Sequence, residues 1–193
     1  IYGACAAISI LLLFAAFDSG GGAGPAITLP LGVPGIGMNM RIDALSAFFL
    51  AVVNLGGAAA SIYAIGYGAH EKHPIRILPF FPVFLAAMNL VVIADDAFTF
   101  LVAWELMSLA SWALILAHDL DAENREAGYI YLLMASFGTL ALLLAFGVLS
   151  GGAHFTFTEI RESSRPALTS ALVLGLVVLG AGSKAGIVPL HIW

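Results

Sequence analysis

Long apolar segments separated by short polar connections constrain this chain more than any other sequence feature. A helix needs about 20 predominantly apolar residues to cross the hydrocarbon core of a bilayer. The segments that reach or approach this length are 1–17, 44–67, 77–94, 97–117, 129–149 and 167–193. The sequence therefore predicts an all-α fold, a polytopic transmembrane helical bundle.

The composition agrees with a bilayer as the surrounding medium. Hydrophobic residues make up 61% of the 193 positions and charged residues 10%, and the mean hydropathy is +1.02, which a soluble domain does not reach. The sequence contains no basic patch, so it gives no reason to expect nucleic acid as a partner. The lone Cys5 excludes an intrachain disulfide. Because the chain opens and stops inside apolar segments, we expect 1–193 to be one partial membrane domain, truncated at both ends.

The polar connections predict turns and loops but leave the orientation open. Glycines and prolines crowd 18–41, which favours an irregular connection; charges crowd 118–128, and the mixed segment 150–166 contains glycine and proline, so both are expected to be loops. Asp95 and Asp96 predict a tight turn between antiparallel helices, and these two residues and Asp43 lie at helix starts, where capping explains them. Basic residues normally concentrate on the cytoplasmic side. They divide evenly here: Arg41, Arg161 and Arg165 on one side, Lys72, Arg76 and Arg125 on the other.

Glu105 is an acidic residue in the middle of an apolar segment. It lies about 13 Å into a span of about 30 Å, where a charged side chain costs about 2.5–3.5 kcal/mol on insertion scales. It should point into the bundle, pair with a cation or stay protonated. Ser108 and Trp112 share its helix face and are expected to supply hydrogen bonds. The alternative is a polar packing residue without a transport role.

Lys184 follows a long uncharged run and precedes Pro189. Gly180, Gly182 and Gly186 weaken helix propensity around it, and Pro189 cannot donate to the carbonyl of Ala185. This pattern predicts a broken helix near Lys184–Pro189, a feature that lines pathways in transporters. The alternative is a lysine that extends to the interface at a helix end.

Glu105 and Lys184 together predict a proton relay, because a nearby carboxylate stabilises the charged form of a buried lysine. His191 is a candidate to extend the relay, since imidazole titrates near neutrality; a structural hydrogen bond is the alternative. His70 and His73 lack zinc spacing, and 180–184 lacks the pattern of a phosphate loop. We therefore predict neither a metal site nor a phosphate loop in this chain, and whether it is an enzyme stays open.

Several sequence runs resemble the antiporter-like, proton-conducting subunits of respiratory complex I and the Mrp antiporters. These runs are RIDALSAFF, VVIADDAFTFLVAWELMSLASWALI, GYIYLLMASFGTLALLLAF and GSKAGIVPLHIW. Within that superfamily the likeness is greatest to hydrogenase-4 component B and the large membrane subunit of formate hydrogenlyase. The resemblance implies an inverted-repeat fold in which each repeat forms half a proton channel.

The resemblance also implies roles for single positions. The family carries a glutamate on its fifth helix and a lysine on a discontinuous seventh helix, and Glu105 and Lys184 match them. Some relatives carry a charged residue on the sixth helix, whereas 129–149 offers only Tyr129 and Tyr131 as ionisable groups. The resemblance further implies that the subunit binds no cofactor itself and that 68–76 and 118–128 face the cytoplasm.

Three functions follow as hypotheses. The first is a proton-translocating subunit of a redox-driven complex in the inner cell membrane, such as a membrane-bound hydrogenase or an NADH:quinone oxidoreductase, with other membrane subunits as partners. The second is a subunit of a cation/proton (Na⁺/H⁺) antiporter. The third is a membrane scaffold that transports nothing.

Overall fold

The computed structural model describes the chain apart from residues 19–23, 25, 72–73, 119–121, 153–154 and 192–193. Its longer elements, in chain order, are α1 (Tyr2–Asp18), β1 (Ile27–Val33), β2 (Gly37–Met40), α2 (Ala44–Tyr67), α3 (Phe80–Ile93), α4 (Ala97–Ile115), α5 (Ala122–Ser150), α6 (Phe157–Glu162) and α7 (Ala167–Ala185). The predicted helical class is confirmed.

Within the described part of the chain, five helical segments are long and apolar enough to cross a membrane: Ala44–Tyr67, Pro74–Ile93, Ala97–Ile115, Glu123–Ser150 and Ala167–Ala185. The apolar helix Tyr2–Asp18 is shorter. Their outer faces carry large exposed hydrophobic side chains, such as Leu168 at 84% and Val102 at 68% exposure. A soluble protein rarely tolerates so much exposed apolar surface, and lipid accommodates it. The chain is therefore a multi-pass membrane protein.

Two of the long helices begin at aspartates that cap them. The Asp43 side chain accepts from the backbone N–H of Ser46, and the Ser46 hydroxyl accepts from the backbone N–H of Asp43, which forms a capping box. The N–H of Ser46 lowers the pKa of the Asp43 carboxyl. Asp96 caps α4 in the same way by accepting from the N–H of Thr99 at 2.8 Å. The predicted capping roles of these two aspartates are thus present, while Asp95 instead pairs with Arg41 at 2.8 Å.

A β-hairpin occupies much of the connection predicted to be irregular. Strands β1 and β2 pair antiparallel, with Ile27 opposite Met40 and Thr28 opposite Asn39. Gly35 and Gly37 adopt positive φ angles of 87° and 74° in and just after the turn, which glycine reaches without strain. Residues 27–40 of the connection expected to be irregular are therefore an ordered hairpin, while 19–23 and 25 lie outside the described residues.

The predicted loops at 118–128 and 150–166 are also partly helical. Helix α5 starts at Ala122, so Glu123, Arg125 and Glu126 lie on its first turns. Residues Phe157–Glu162 form α6 behind a capping box made by Thr156 and Glu159. Acidic residues favour the first turn of a helix because of its macrodipole, and this accounts for helix in a segment that its charge density marked as loop.

One end of the bundle is held together by the segment 94–96. Its backbone bonds to the hairpin on one side, where Asp95 N–H donates to Asn39 O at 2.9 Å, and to the α5–α6 connection on the other, where Phe157 N–H donates to Asp95 O at 3.0 Å. The fully buried Asp96 carboxylate accepts from Asn39 and Thr99. Three distant parts of the chain thus meet at the start of α4.

Helices α5 and α7 approach closely through glycines. A Cβ atom on Gly138 would lie 2.8 Å from the carbonyl oxygen of Gly180, and a Cβ on Gly180 would lie 2.9 Å from that of Gly138. Small residues permit such backbone contact where no hydrophobic effect drives helices together. Gly180 and Gly182, expected to weaken the helix, lie inside α7. The contact brings Lys184, one turn beyond Gly180, against α5.

Candidate functional site

Lys184 lies in the last turn of α7 and reaches between α4 and α5. Its Nζ donates to Ser108 Oγ on α4 at 2.8 Å and to the Tyr131 hydroxyl on α5 at 2.5 Å. Nζ also lies 4.8 Å from the centroid of the Tyr131 ring, within range of a cation–π interaction. Ser108 is fully buried and Tyr131 is 5% exposed. The amine is therefore bound by two buried hydroxyls from neighbouring helices, not directed along its own helix towards an interface.

Glu105 is half-buried on α4 and also contacts α5. The Thr139 hydroxyl, whose oxygen is 3.1 Å from the Ala135 carbonyl oxygen, donates to Glu105 Oε2 at 2.6 Å. Hydrogen bonds from Ser108 and Trp112 were the sequence expectation. The structure corrects it for Ser108, whose hydroxyl accepts from Lys184 and donates to Trp104 O at 3.0 Å. Trp112 is half-buried on the same helix, and its supporting role stays a prediction.

Glu105 and Lys184 belong to one cluster without forming a direct ion pair. Among the described residues, an ion pair with N···O at or below 4.0 Å joins Arg41 to Asp95, and none joins Glu105 to Lys184. Ser108, which binds Lys184, lies three residues after Glu105 on α4, about 4.5 Å further along the helix axis. Glu105 and Lys184 therefore meet α4 and α5 within about one helical turn of each other, but each is bonded to a hydroxyl of its own.

The break after Lys184 is present and is made by Gly186. Helix α7 ends at Ala185, and Gly186 takes the left-handed conformation with φ 71° while its N–H donates to Gly182 O, a common glycine helix end. Pro189 follows in the exposed turn. His191 is exposed at the end of the described segment, and its place in a relay stays a prediction.

The sequence did not identify two residues that the structure brings to the site, Tyr131 and Thr139. Both lie on α5, the helix that lacks a charged residue at membrane depth. The sequence pattern that could have identified them was a tyrosine and a threonine among apolar residues, and side chains of that kind usually serve helix packing. Only the positions of α4 and α7 reveal that each of these hydroxyls faces an ionisable group.

The predicted absence of a metal site is not tested by this structure. Within the described ranges, no group of three or more His, Cys, Asp or Glu residues is arranged to hold a metal ion. Of the His70/His73 pair, His73 lies outside these ranges.

Comparison with known proteins identifies a shared family. The model of the family described as NADH:quinone oxidoreductase/Mrp antiporter, TM, matches residues 94–193, which include Glu105 and Lys184. Hydrogenase-4 component B of Escherichia coli (strain K12) is 36% identical over 161 residues, covering 81% of this chain and 24% of the relative. The chain thus spans about a quarter of the length of the curated relatives it matches.

Solved structures share the fold. A chain of the membrane-bound sulfane sulfur reductase, an archaeal respiratory membrane complex, superposes with a TM-score of 0.77 at 18% identity, covering 100% of this chain and 41% of that one. A chain of the Mrp complex from Dietzia sp. DQ12-45-1b superposes with a TM-score of 0.72 at 21% identity, covering 98% and 35%. The helices around Glu105 and Lys184 therefore follow a fold that occurs in both kinds of complex.

Proposed function

Because this chain belongs to the NADH:quinone oxidoreductase/Mrp antiporter transmembrane family, we propose that it forms half of a proton channel in which Glu105 and Lys184 are the relay groups. The whole subunit would translocate protons within a redox-driven complex, of the membrane-bound hydrogenase, formate hydrogenlyase or NADH:quinone oxidoreductase kind. It would lie in the inner cell membrane with other membrane subunits as partners.

The observation that carries this proposal is the binding of Lys184 between two helices of the bundle. Its amine meets Ser108 and Tyr131, two buried neutral hydroxyls. An intramembrane amine that serves structure alone is expected to pair with a carboxylate, which fixes its charge. Neutral partners can bond to an amine or an ammonium, so they leave its protonation state free to change.

Glu105 supports the same function. It contacts Thr139, another neutral hydroxyl, and lies one helical turn from the residue that binds Lys184. A relay needs groups that can each take up and release a proton, and a carboxyl group and an amine are such groups.

The test replaces Glu105 with glutamine in the full-length subunit within its complex. We expect redox-driven proton translocation into inverted membrane vesicles to fall by at least about tenfold, because glutamine cannot take up a proton. Glu162→Gln, at an exposed glutamate of α6, is the matched control and should leave translocation unchanged. Equal translocation by Glu105→Gln and the control would refute the relay role.

A cation/proton antiporter is the second candidate, favoured by the structural likeness to a chain of the Mrp complex. The same vesicles distinguish the two. A redox-driven subunit translocates protons when electron donor is supplied, whereas an antiporter subunit exchanges protons when a sodium gradient is imposed without donor. A non-transporting scaffold would respond to neither, and Lys184→Met would then alter assembly alone.

A further inference from the structure

Helix α5 supplies one hydroxyl to each ionisable group of the site. Thr139 donates to Glu105 Oε2 at 2.6 Å, and Tyr131 accepts from Lys184 Nζ at 2.5 Å. The two hydroxyls lie eight residues apart on α5, about 12 Å along its axis. The helix that carries no charged residue at this depth is therefore in direct contact with both charged ones.

Thr139 has two acceptors within reach of a single hydroxyl hydrogen. Its Oγ1 lies 2.6 Å from Glu105 Oε2 and 3.1 Å from the carbonyl oxygen of Ala135. When Glu105 is ionised, the hydrogen points at the carboxylate. When Glu105 is protonated, its own O–H can donate to Thr139 Oγ1 while the threonine hydrogen turns to Ala135. All of these groups stay paired in both states, and Thr139 itself neither gains nor loses a proton.

Tyr131 and Ser108 offer the same two-way bonding to Lys184. An ammonium at Lys184 donates to both hydroxyl oxygens, as the structure shows, and the nearby face of the Tyr131 ring favours that positive charge. Once the amine is neutral, its nitrogen lone pair can accept the hydrogen of the tyrosine hydroxyl. The amine therefore keeps a hydrogen-bond partner on α5 whether or not it carries the extra proton.

From this geometry we propose that Thr139 and Tyr131 are positioning residues of the proton path, each reversing the direction of one hydrogen bond as its ionisable neighbour gains or loses a proton. The inference rests on the proposed function. It assigns to two neutral hydroxyls on α5 the task of keeping Glu105 and Lys184 hydrogen-bonded in both protonation states. Without the Thr139 hydroxyl, Glu105 would lose this partner in both protonation states, and without the Tyr131 hydroxyl, Lys184 would keep Ser108 but lose its partner on α5.

The test compares Thr139→Val with Thr139→Ser in the full-length subunit within its complex. Valine keeps the shape and removes the hydroxyl, whereas serine keeps the hydroxyl. We expect Thr139→Val to lower the number of protons translocated per electron transferred by about tenfold, and Thr139→Ser to stay within about twofold of the unchanged protein. Activity in the serine variant but not in the valine variant indicates that Thr139 acts through its hydroxyl. If Thr139 served packing alone, valine would replace it without loss.

Tyr131→Phe provides a second, independent variant, because it keeps the ring beside Lys184 and removes only the hydroxyl. It should also lower the ratio by about tenfold. Tyr129→Phe is its matched control: Tyr129 lies two residues away on the same helix but is 63% exposed, so its loss should have no effect. If Thr139→Val fails to assemble, Tyr131→Phe decides the matter.

The outcomes distinguish this inference from the function on which it rests. If Glu105→Gln abolishes translocation while Thr139→Val and Tyr131→Phe retain it, the positioning role is wrong and the relay stands. If Glu105→Gln retains translocation, the proposed function fails, whatever the hydroxyl variants do. Retention in Thr139→Val together with loss in Thr139→Ser would also overturn the inference, since it would show that the shape of the side chain matters at this position and the hydroxyl does not.

Discussion

The bonding of Lys184 to hydroxyl groups bears directly on how easily it releases a proton. Two opposite unit charges 4 Å apart attract by about 4 kcal/mol at an effective dielectric constant of 20, and the attraction halves at twice that distance. A direct ion pair with Glu105 would therefore hold the proton on the amine strongly. Ser108 and Tyr131 carry no net charge, so neither hydroxyl supplies the attraction of such an ion pair.

Lys184→Arg tests whether the proton or merely the positive charge is needed. A guanidinium group does not lose its proton in proteins. If Lys184 passes a proton on, arginine should fail as completely as methionine, with translocation reduced by at least about tenfold. Proton uptake by vesicles containing the full complex measures this. Restoration of translocation by Lys184→Arg, with Lys184→Met inactive, would contradict a proton-releasing role.

At the scale of single elements, the start of α4 depends on the Asp96 carboxylate, which accepts several hydrogen bonds. Asp96 is fully buried and accepts from the backbone N–H groups of Asn39 and Thr99 at 2.9 and 2.8 Å, and from both of their side chains. A buried charge is stable when hydrogen bonds replace the water it loses. Asp96 thereby fixes the end of the helix that carries Glu105.

Asp96→Asn should destabilise the protein, because the amide nitrogen of asparagine would face donors. We expect a loss of about 2–3 kcal/mol in the free energy of unfolding, measured by thermal denaturation of the purified full-length protein in detergent. Asp43→Asn is the matched control at the N-cap of α2, where Asp43 is half-buried and asparagine caps as well as aspartate. Equal stability of the two variants would contradict the role given to Asp96.

Some of these elements could be predicted from the sequence and others could not. The apolar segments, the turn at Asp95 and Asp96 and the break after Lys184 were predictable, because each follows from a local rule of length, capping or glycine conformation. The hairpin was not, since its pairing depends on the fit of β2 against 94–96. Likewise, Thr139 and Tyr131 could not be assigned to the site, because their partners lie on other helices.

At the scale of the whole molecule, the hydrogen bonds of 94–96 place the hairpin and the α5–α6 connection at one end of the bundle. The short turn between α3 and α4 reverses the chain, so the α2–α3 and α4–α5 connections lie at the other end. The even distribution of Lys and Arg left the orientation of these ends undecided. The family resemblance implies that the end with the α2–α3 and α4–α5 connections faces the cytoplasm.

Cysteine labelling tests this arrangement in the full-length protein after replacement of Cys5 with alanine. A membrane-impermeant thiol reagent should label Glu126→Cys from the cytoplasmic side and Pro34→Cys, in the exposed hairpin turn, from the opposite side. The two positions serve as controls for each other. Labelling of both from the same side would contradict the topology, and reversed labelling would contradict the orientation alone.

The glycine contact between α5 and α7 has a mechanical consequence. Two backbones that touch at Gly138 and Gly180, with the side chains of Ser183 and Leu142 packed against the same point, cannot move closer. The contact therefore fixes the spacing of α5 and α7 at this level. Lys184 lies four residues beyond it, a lever of about 6 Å, so a tilt of about 10° would displace its backbone by about 1 Å. That distance is enough to lengthen or restore a hydrogen bond to α5.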